Sequence, residues 1–280
     1  MILLMGGCST RGVAEFELYR STTLQASAAS TAILDQLALQ ERALFFQDSR
    51  KRDALQFDPD LARYYTDAVD PPATRAFRNA FQTVVIYNDL LYGLSSGQTA
   101  DTLVAKVQAM NSSLSKAAVD TAALTGPGHP AEAAAMGAAL NAAFSQVKPF
   151  LLVALKARSR ERFRYYVVAY YPAVRAILVA LRSSTKDMFL VLNAPTLNRI
   201  RASPTAGTPD DRQRVVAYRK LLADWIILID ASIDALASAK RAAEAPASAL
   251  DAVEGIAAAS SELGAASQAA RRDLAELAAN

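Results

Sequence analysis

One segment of the chain has the spacing that places a serine nucleophile on a sharp turn between a strand and a helix: Gly93-Leu94-Ser95-Ser96-Gly97. Such a serine needs a histidine as its base and an acid to orient that histidine. The chain offers its single histidine, His129, with Asp101 or Asp120 as the acid. Here, however, the segment lies between two helical patterns, where glycine and serine end one helix and cap the next. We therefore predict a helix-to-helix turn, no catalytic residue and no enzymatic activity.

His129 and an acidic pair are the candidates for metal binding. His129 lies in the segment Gly126-Pro127-Gly128-His129-Pro130, and no second histidine or cysteine lies beside it at the spacing of metal ligands. Asp230 and Asp234 lie one helical turn apart, but dinuclear carboxylate sites in bundles use Glu-x-x-His motifs, which this chain lacks. We expect an exposed turn histidine, a solvated acidic face, no metal and no other cofactor.

A basic segment leads into an aromatic one in the second half of the chain. Its basic residues alternate with others and are Lys156, Arg158, Arg160, Arg162 and Arg164. Interleaved arginines and aromatic residues can bind nucleic acid through phosphates and stacked bases. Residues two apart point in different directions on a helix, so these side chains would not form one stripe. Two interpretations remain: ion pairs with neighbouring helices, or an anionic partner such as lipid headgroups, a cell-wall polymer or an acidic protein face.

The aromatic residues that follow are candidates for a ligand pocket. Tyr165, Tyr166 and Tyr170 lie close to Arg175 along the chain. Because bundles bind small molecules between their helices, these four residues could line such a site. The alternative is that the tyrosine rings pack between helices with their hydroxyls at the edge.

The first residues of the chain indicate where the protein is located. A short apolar run is followed by Gly6, Gly7 and the single cysteine, Cys8. This arrangement resembles the end of a bacterial lipoprotein signal, in which small residues precede a cysteine that receives lipid. The resemblance implies that residues 1–7 are the remnant of a signal peptide and that Cys8 begins the mature protein with a diacylglyceryl group. The family pattern has Leu where Met5 stands, and secretion signals have a basic region and a longer apolar region. We therefore expect the gene to begin further upstream.

The same resemblance implies a location in the bacterial envelope. Ser9, and not an aspartate, follows Cys8, so the sorting rules of lipoproteins favour the outer membrane, with the bundle facing the periplasm. The alternative is a cytosolic protein with an apolar N-terminus and one incidental thiol. Beyond Cys8 no uninterrupted apolar run is long enough to span a bilayer, because the nearest one, Val167 to Leu181, is short and contains Pro172 and Arg175.

Composition and periodicity predict the fold. The chain has 280 residues, of which 52% are hydrophobic, and a net charge of +3, which is too small to indicate nucleic acid binding by itself. Apolar residues recur at helical spacing, and no segment alternates with a period of two. We predict an all-α fold, an elongated bundle of long antiparallel helices without a sheet, in which residues 8–280 form one bundle. If there are two subdomains, they divide at 126–130.

The first predicted helix covers Val13 to Leu55. Its expected buried residues are Leu24, Thr31, Leu34, Ala38, Leu44 and Phe45, and its expected water-facing residues are Gln36, Gln40, Glu41 and Arg42. A later helix, 99–124, carries a heptad seam on Leu103, Val107, Met110, Leu114, Ala117, Thr121 and Leu124. The last helix carries two seams, on Val253, Ser260, Ser267 and Leu274 and on Ile256, Leu263, Ala270 and Leu277. Such seams would also allow two copies of the chain to pair.

Prolines and capping residues mark the remaining boundaries. We expect helix from Phe150 to about Asn193 with a kink at Pro172, and then a loop from Ala194 to Thr208. Thr208-Pro209-Asp210-Asp211 is typical of a helix start, with a hydroxyl cap, a proline in the first turn and acidic residues near the positive end of the dipole.

Three functions are consistent with these features. The first is a lipid-anchored, non-catalytic bundle that holds the membrane through Cys8 and binds or scaffolds another envelope protein. The second is a membrane-active, pore-forming-like protein, and the third is a ligand-sensing bundle. A hydrolase that uses Ser95 comes last. Nucleic acid is not an expected partner.

Overall fold

The structure, a computed structural model, describes residues 13–49, 57–124, 131–157, 159–202, 208–245 and 250–279. Within these ranges every regular element is a helix, which confirms the predicted all-α fold. Helices α1 to α9 cover Val13–Ser49, Pro72–Ser95, Ala100–Ala123, Ala131–Ala154, Arg160–Ala169, Tyr171–Ser183, Thr185–Ala202, Pro209–Glu244 and Leu250–Ala279. A short 3-10 helix, Pro59–Tyr64, lies between α1 and α2. The break predicted at 126–130 lies outside the described residues, between α3 and α4.

Ion pairs between helices show that neighbouring long helices run antiparallel, as predicted. Arg75 near the start of α2 contacts Asp120 near the end of α3, with Nε and Oδ2 3.1 Å apart. Asp89 near the end of α2 pairs with Lys106 near the start of α3 at 2.5 Å. The helix pairs α1–α2, α1–α9 and α8–α9 also pack closely. The fold is therefore a bundle in which α1 contacts both an early and the last helix.

The predicted seams form the interior of the bundle. Every heptad position of α3 is buried, from Leu103 to Leu124. In α9 the small residues Ser260 and Ser267 are fully buried beside Ile256, Leu263 and Ala270, and they allow close helix approach. The other three members of the α9 seams, Val253, Leu274 and Leu277, are half-buried. Large side chains fill the centre, where Trp225 of α8 packs against Phe81 of α2 with ring centroids 6.4 Å apart. Each buried large apolar side chain contributes roughly 1.5 to 3 kcal/mol to folding.

The start of α8 follows the sequence signature at Thr208. The Thr208 hydroxyl accepts the backbone N–H of Asp211 at 3.2 Å, and the Asp211 carboxylate accepts the N–H of Thr208 at 3.3 Å. This reciprocal capping box satisfies two donors that the helix itself leaves unpaired. Thr99 caps α3 and Ser159 caps α5, where each hydroxyl accepts a backbone N–H of the first turn.

The start of α2 lacks such a cap of its own, and a residue of α1 replaces it. Pro71 is the N-terminal flanking residue of α2 and has no side-chain hydrogen bond to offer. Glu41 of α1 accepts the N–H groups of Ala73 at 3.0 Å and Thr74 at 2.8 Å. Its carboxylate also accepts the hydroxyls of Thr74 at 2.8 Å and Tyr64 at 3.3 Å. The prediction that Glu41 faces water is therefore wrong, because its carboxylate is buried as the cap of α2.

Two residues of α1 that were predicted to be buried are exposed. The face of α1 that α2, α7 and α9 cover is centred on Tyr19, Ile33 and Leu37. Leu24 and Thr31 lie outside that face, and Leu24 is 49% exposed. The other four predicted positions, from Leu34 to Phe45, are buried. The described part of α1 ends at Ser49, and the predicted continuation to Leu55 lies outside the described residues.

The loop predicted from Ala194 is wrong over its first part, because α7 continues to Ala202 with Pro195 inside it. Leu192, Ala194 and Thr196 are buried on either side of the proline, and this packing outweighs the backbone hydrogen bond that the proline removes. The Asn193 side chain also donates to the Phe189 carbonyl at 2.9 Å. The positions 203–207 lie outside the described residues.

The kink predicted at Pro172 is a boundary between two helices. α5 ends at Ala169 and α6 begins at Tyr171, so that Pro172 lies in a first turn, where its missing N–H is not needed. The Val167 carbonyl near the end of α5 accepts the hydroxyl of the buried Tyr87 at 2.5 Å. A side chain of α2 thus satisfies a backbone group that the break would leave unpaired.

Candidate functional site

The predicted site of lipid attachment, Cys8, lies outside the described residues, together with the residues 1–7. α1 begins at Val13, five residues further along the chain. It has 37 residues and is therefore about 55 Å long. A group attached at Cys8 would be connected to the bundle through α1.

The predicted basic patch surrounds the start of α5. The Ser159 hydroxyl accepts the N–H of Arg162 at 3.3 Å and fixes the beginning of the helix. Lys156 in the turn after α4 and Arg162 are exposed. Arg158 and the side chain of Arg160 lie outside the described part. The structure thus places Lys156 and Arg162 where an anionic partner could reach them.

Arg164 of this patch is engaged within the protein. Its guanidinium donates to the carbonyl oxygens of Ala243 at 2.6 Å and Ala245 at 3.4 Å, at the end of α8. These carbonyls have no helical partner and lie at the negative end of the helix dipole, where a cation is stabilising. Arg164 therefore joins α5 to α8, and its partners are backbone oxygens and not the acidic side chains that the sequence suggested.

The four residues of the predicted ligand pocket have different surroundings. Tyr165 is 69% exposed, and its ring is 5.6 Å from that of the half-buried Tyr166 in an edge-to-face arrangement. Tyr170 packs inward, with its ring 5.4 Å from that of Phe150. Arg175 is exposed on α6. Tyr170 thus packs between helices, and Tyr165 is the most accessible of the three rings.

An open groove of about 670 Å³ lies between α5 and the end of α8. It is lined by Glu161, Arg164, Tyr165, Val168, Ala169, Glu244 and Ala245. Of the four predicted pocket residues it includes Tyr165. Its lining combines one aromatic ring with two carboxylates and the guanidinium of Arg164, so the groove suits a ligand with a flat apolar part and hydrogen-bond donors.

The serine segment is a helix-to-helix turn, as predicted. The Ser95 hydroxyl donates to the Tyr92 carbonyl at 2.8 Å, and Gly97 has a φ of +80°, which closes the turn into α3. Asp101 is exposed in the first turn of α3, whereas Asp120 lies about 30 Å further along that helix. Asp120 is therefore too distant to act on Ser95. His129 lies outside the described residues.

Two of the buried carboxylates, those of Asp120 and Glu41, hold helices together. Asp120 contacts Arg75 and accepts the amide of Asn79 at 3.2 Å. Burial raises the pKa of Asp120 to about 6, and burial also raises the pKa of Glu41. Asp230 of the predicted acidic pair binds Arg182 through two hydrogen bonds of 2.6 and 3.1 Å, and Asp234 is exposed.

An aromatic cluster at the end of α1 was not predicted from the sequence. It consists of Phe45, Phe46, Phe57, Tyr64 and Tyr65, and we call it the α1-end aromatic cluster. Phe45 stacks on Tyr64 at a centroid distance of 4.2 Å, and both are buried. The other three members are exposed: Phe57 by 70%, Phe46 by 47% and Tyr65 by 38%. The sequence signal was two pairs of adjacent aromatic residues, Phe45-Phe46 and Tyr64-Tyr65, on either side of Asp58-Pro59.

No family model, curated protein or solved structure matches the chain. Across the described ranges, no helix is both long and apolar enough to cross a membrane. The apolar stretch from Val167 to Leu181 is divided between α5 and α6, and Val167, Ile177 and Leu181 are buried in the bundle. Among the side chains that the structure describes, no group of three His, Cys, Asp or Glu is placed to hold a metal ion.

Proposed function

We propose that this protein is a lipid-anchored, non-catalytic helical bundle of the bacterial cell envelope that binds another envelope protein. The lipobox-like N-terminus suggests the anchor, at Cys8. The observation that carries the binding function is the α1-end aromatic cluster, which exposes three large rings side by side. The alternative of a membrane-active protein has no comparable support in the described helices.

The α1-end aromatic cluster has the properties of a binding surface. Contiguous exposed aromatic residues are uncommon on protein surfaces outside interaction sites, and aromatics are enriched among the residues that dominate binding energy. Phe46 and Tyr65 are 5.4 and 5.9 Å from the buried ring of Phe45, measured between centroids. These two exposed rings therefore pack against a buried ring, and little conformational entropy would be lost when a partner binds.

Position and charge favour a protein partner over a lipid surface. Phe46 lies about 50 Å along α1 from Val13, so the cluster is at the end of α1 opposite to the anchor. Asp58, Asp60 and Asp67 lie close to Phe57 and Tyr65 along the chain, and all three are exposed. Carboxylates in these positions are repelled by anionic headgroups. We therefore infer that the cluster contacts a protein held at a distance from the anchoring membrane.

The anchor is tested by fatty acid incorporation. The gene, with its upstream region restored, is expressed in a bacterium that is fed a labelled fatty acid, beside a Cys8→Ala control. We expect label in the protein and none in the control. Label that is absent from both, or equal in both, would contradict the anchor.

The binding surface is tested by site-specific photo-crosslinking in the same cells. A photoreactive phenylalanine analogue replaces Phe57 or Tyr65, and matched controls carry it at Val119 and Leu152, which are 67% and 58% exposed on other helices. We expect a discrete crosslinked envelope protein from the first two positions only. The same products from all four positions, or none from Phe57 and Tyr65, would contradict the proposed surface.

The groove between α5 and α8 favours a second candidate function, the sensing of a small ligand. Tyr165 presents an accessible ring there beside the carboxylates of Glu161 and Glu244. Native mass spectrometry of the protein purified from its host would show an added mass that Tyr165→Ala loses and that Val119→Ala, an exposed position of α3 outside the groove lining, retains. A wild-type protein without any added mass would contradict this function.

A further inference from the structure

Four charged side chains meet where α9 packs on α8. Lys220 of α8 donates to Asp273 at 2.9 Å and to Glu276 at 3.0 Å, and both acceptors belong to α9. Asp224 lies one turn after Lys220 on α8, and its carboxyl group is within hydrogen-bonding reach of Asp273. The carboxylates of Asp224 and Asp273 thus face each other, and the nearby Lys220 already binds both Asp273 and Glu276.

Asp224 is the member of this cluster that lacks a donor. Its Oδ2 atom is buried and has no hydrogen-bond partner. The charged groups that act on Asp224 are Asp273 and Arg272 of α9 and Lys220 of α8. Two ionised carboxylates cannot form a hydrogen bond with each other, because each only accepts. A proton on one of them supplies the missing donor, and it turns a repulsive contact into an attractive one.

We propose that a proton shared between Asp224 and Asp273 fastens the C-terminal part of α9 to α8, and that this part of α9 loosens when the proton is lost. The inference rests on the α8–α9 contact alone and depends neither on the lipid anchor nor on a partner protein. It assigns to α9 a pH-sensitive attachment to the bundle.

The direction of the effect follows from the electrostatics of the pair. Burial and the neighbouring Asp273 raise the pKa of Asp224 to about 7, from its usual value of 3.8. The contact with Asp224 lowers the pKa of Asp273, and Lys220 lowers it further. A group whose pKa is raised by folding stabilises the folded state fully at a pH below its usual pKa. This stabilisation is lost as pH rises through the pKa that the group has in the folded state. The attachment therefore weakens as pH rises towards and beyond 7.

Loosening would expose apolar surface that α9 otherwise covers. Ala270 is fully buried, and Leu274 and Leu277 pack partly buried against the core on the same part of α9. α9 also packs along α1. A change of pH around neutrality would therefore alter which surface this end of α9 and its neighbours present.

Hydrogen exchange measured by mass spectrometry tests the proposal. Peptides that cover 267–277 are compared between the wild type and Asp224→Asn at about pH 6 and at about pH 8.5, so that intrinsic exchange rates cancel at each pH. The pKa shift predicts that protection of these peptides in the wild type falls about tenfold, relative to the variant, over this range. The asparagine donates to Asp273 at every pH, so the variant should change less than about twofold. Asp234→Asn, which removes an exposed acid of α8, should behave like the wild type.

Two further measurements keep the test decisive. Asp273→Asn removes the other carboxylate and should also abolish the pH dependence, so it replaces Asp224→Asn if that variant does not fold. An NMR titration of the aspartate carboxyl carbons in the wild type should show, besides Asp120, whose pKa is about 6, a group that titrates near pH 7 and that is missing in Asp224→Asn. Equal pH dependence in the wild type and the two pair variants, or no titration near pH 7 that Asp224→Asn removes, would overturn the proposal.

Discussion

Removal of the Glu41 carboxylate should destabilise the protein by a local and identifiable route. Glu41 accepts four hydrogen bonds, two from backbone N–H groups in the first turn of α2 and two from the hydroxyls of Thr74 and Tyr64. Glu41→Ala removes the acceptor of all four hydrogen bonds. Glu41→Gln keeps one oxygen acceptor and turns an NH₂ group towards the remaining donors.

The contacts allow the size of the effect to be worked out. A buried donor left unpaired costs about 1 to 3 kcal/mol, and removal of one partner from a buried charged contact costs about 3 to 5 kcal/mol. The carboxylate itself loses hydration in the folded protein, and its removal recovers part of that cost. We therefore expect losses of about 4 kcal/mol for Glu41→Ala, about 2 for Glu41→Gln and about 1 for Tyr64→Phe.

Urea denaturation followed by circular dichroism gives the free energy of unfolding of each variant, and hydrogen exchange locates the effect. The amides of Ala73 and Thr74 should exchange faster in both Glu41 variants, because they donate to the carboxylate in the wild type. Glu17→Ala is the matched control on the same helix, since Glu17 is exposed, and it should change stability by less than about 0.5 kcal/mol.

The pH dependence gives an independent check of the same contact. Burial raises the pKa of Glu41 above its usual value of 4.5 and outweighs its hydrogen bonds, which lower the pKa. The stabilisation linked to its proton is therefore complete below 4.5 and lost as pH rises through the folded pKa. The loss caused by Glu41→Gln should be larger in acid than at neutral pH. A loss below about 1 kcal/mol for Glu41→Ala, or unchanged exchange at Ala73 and Thr74, would refute this role of Glu41.

Three other perturbations have defined outcomes. Thr208→Ala removes the hydroxyl that accepts the N–H of Asp211, and urea titration should show a loss of about 1 to 2 kcal/mol; no loss would contradict the capping box. Gly97→Ala places a side chain at a φ of +80° and should lower the melting temperature, whereas Gly255→Ala, whose added Cβ meets no atom within 4 Å, should raise it. Shifts of the same sign would contradict this contrast. Burial raises the pKa of Asp120 to about 6 from its usual 3.8, so the wild type should lose stability relative to Asp120→Asn as pH rises through this interval. A difference that is constant with pH would contradict the interpretation of Asp120.

Glu41 shows how periodicity and residue type can disagree. Its position follows Leu34 and Leu37 at helical spacing, so the period alone places it on the buried face of α1. Its charge led to the prediction that it faces water. The missing information was the partner: the uncapped start of α2 is far away in the chain, and only the packing of α1 on α2 brings them together.

Local signals predicted the parts of the fold that depend on neighbouring residues. The heptads of α3 are buried at every position, and the cap at Thr208 lies where the sequence placed it. α7 was missed beyond Asn193 because the proline signal is local, whereas the packing that preserves the helix is tertiary. The α1-end aromatic cluster was missed for a related reason, since its members come from two elements and a turn.

The contact between α1 and α9 joins opposite ends of the chain. A Cβ atom added at Gly264 would lie 3.6 Å from the methyl group of Thr22, so the two helices touch closely there. Part of the buried face of α1 is therefore covered by a helix that the ribosome makes much later. Contacts between distant positions form late, because the intervening chain must first be ordered. An emerging chain consequently leaves part of the apolar face of α1 uncovered until α9 has been synthesised.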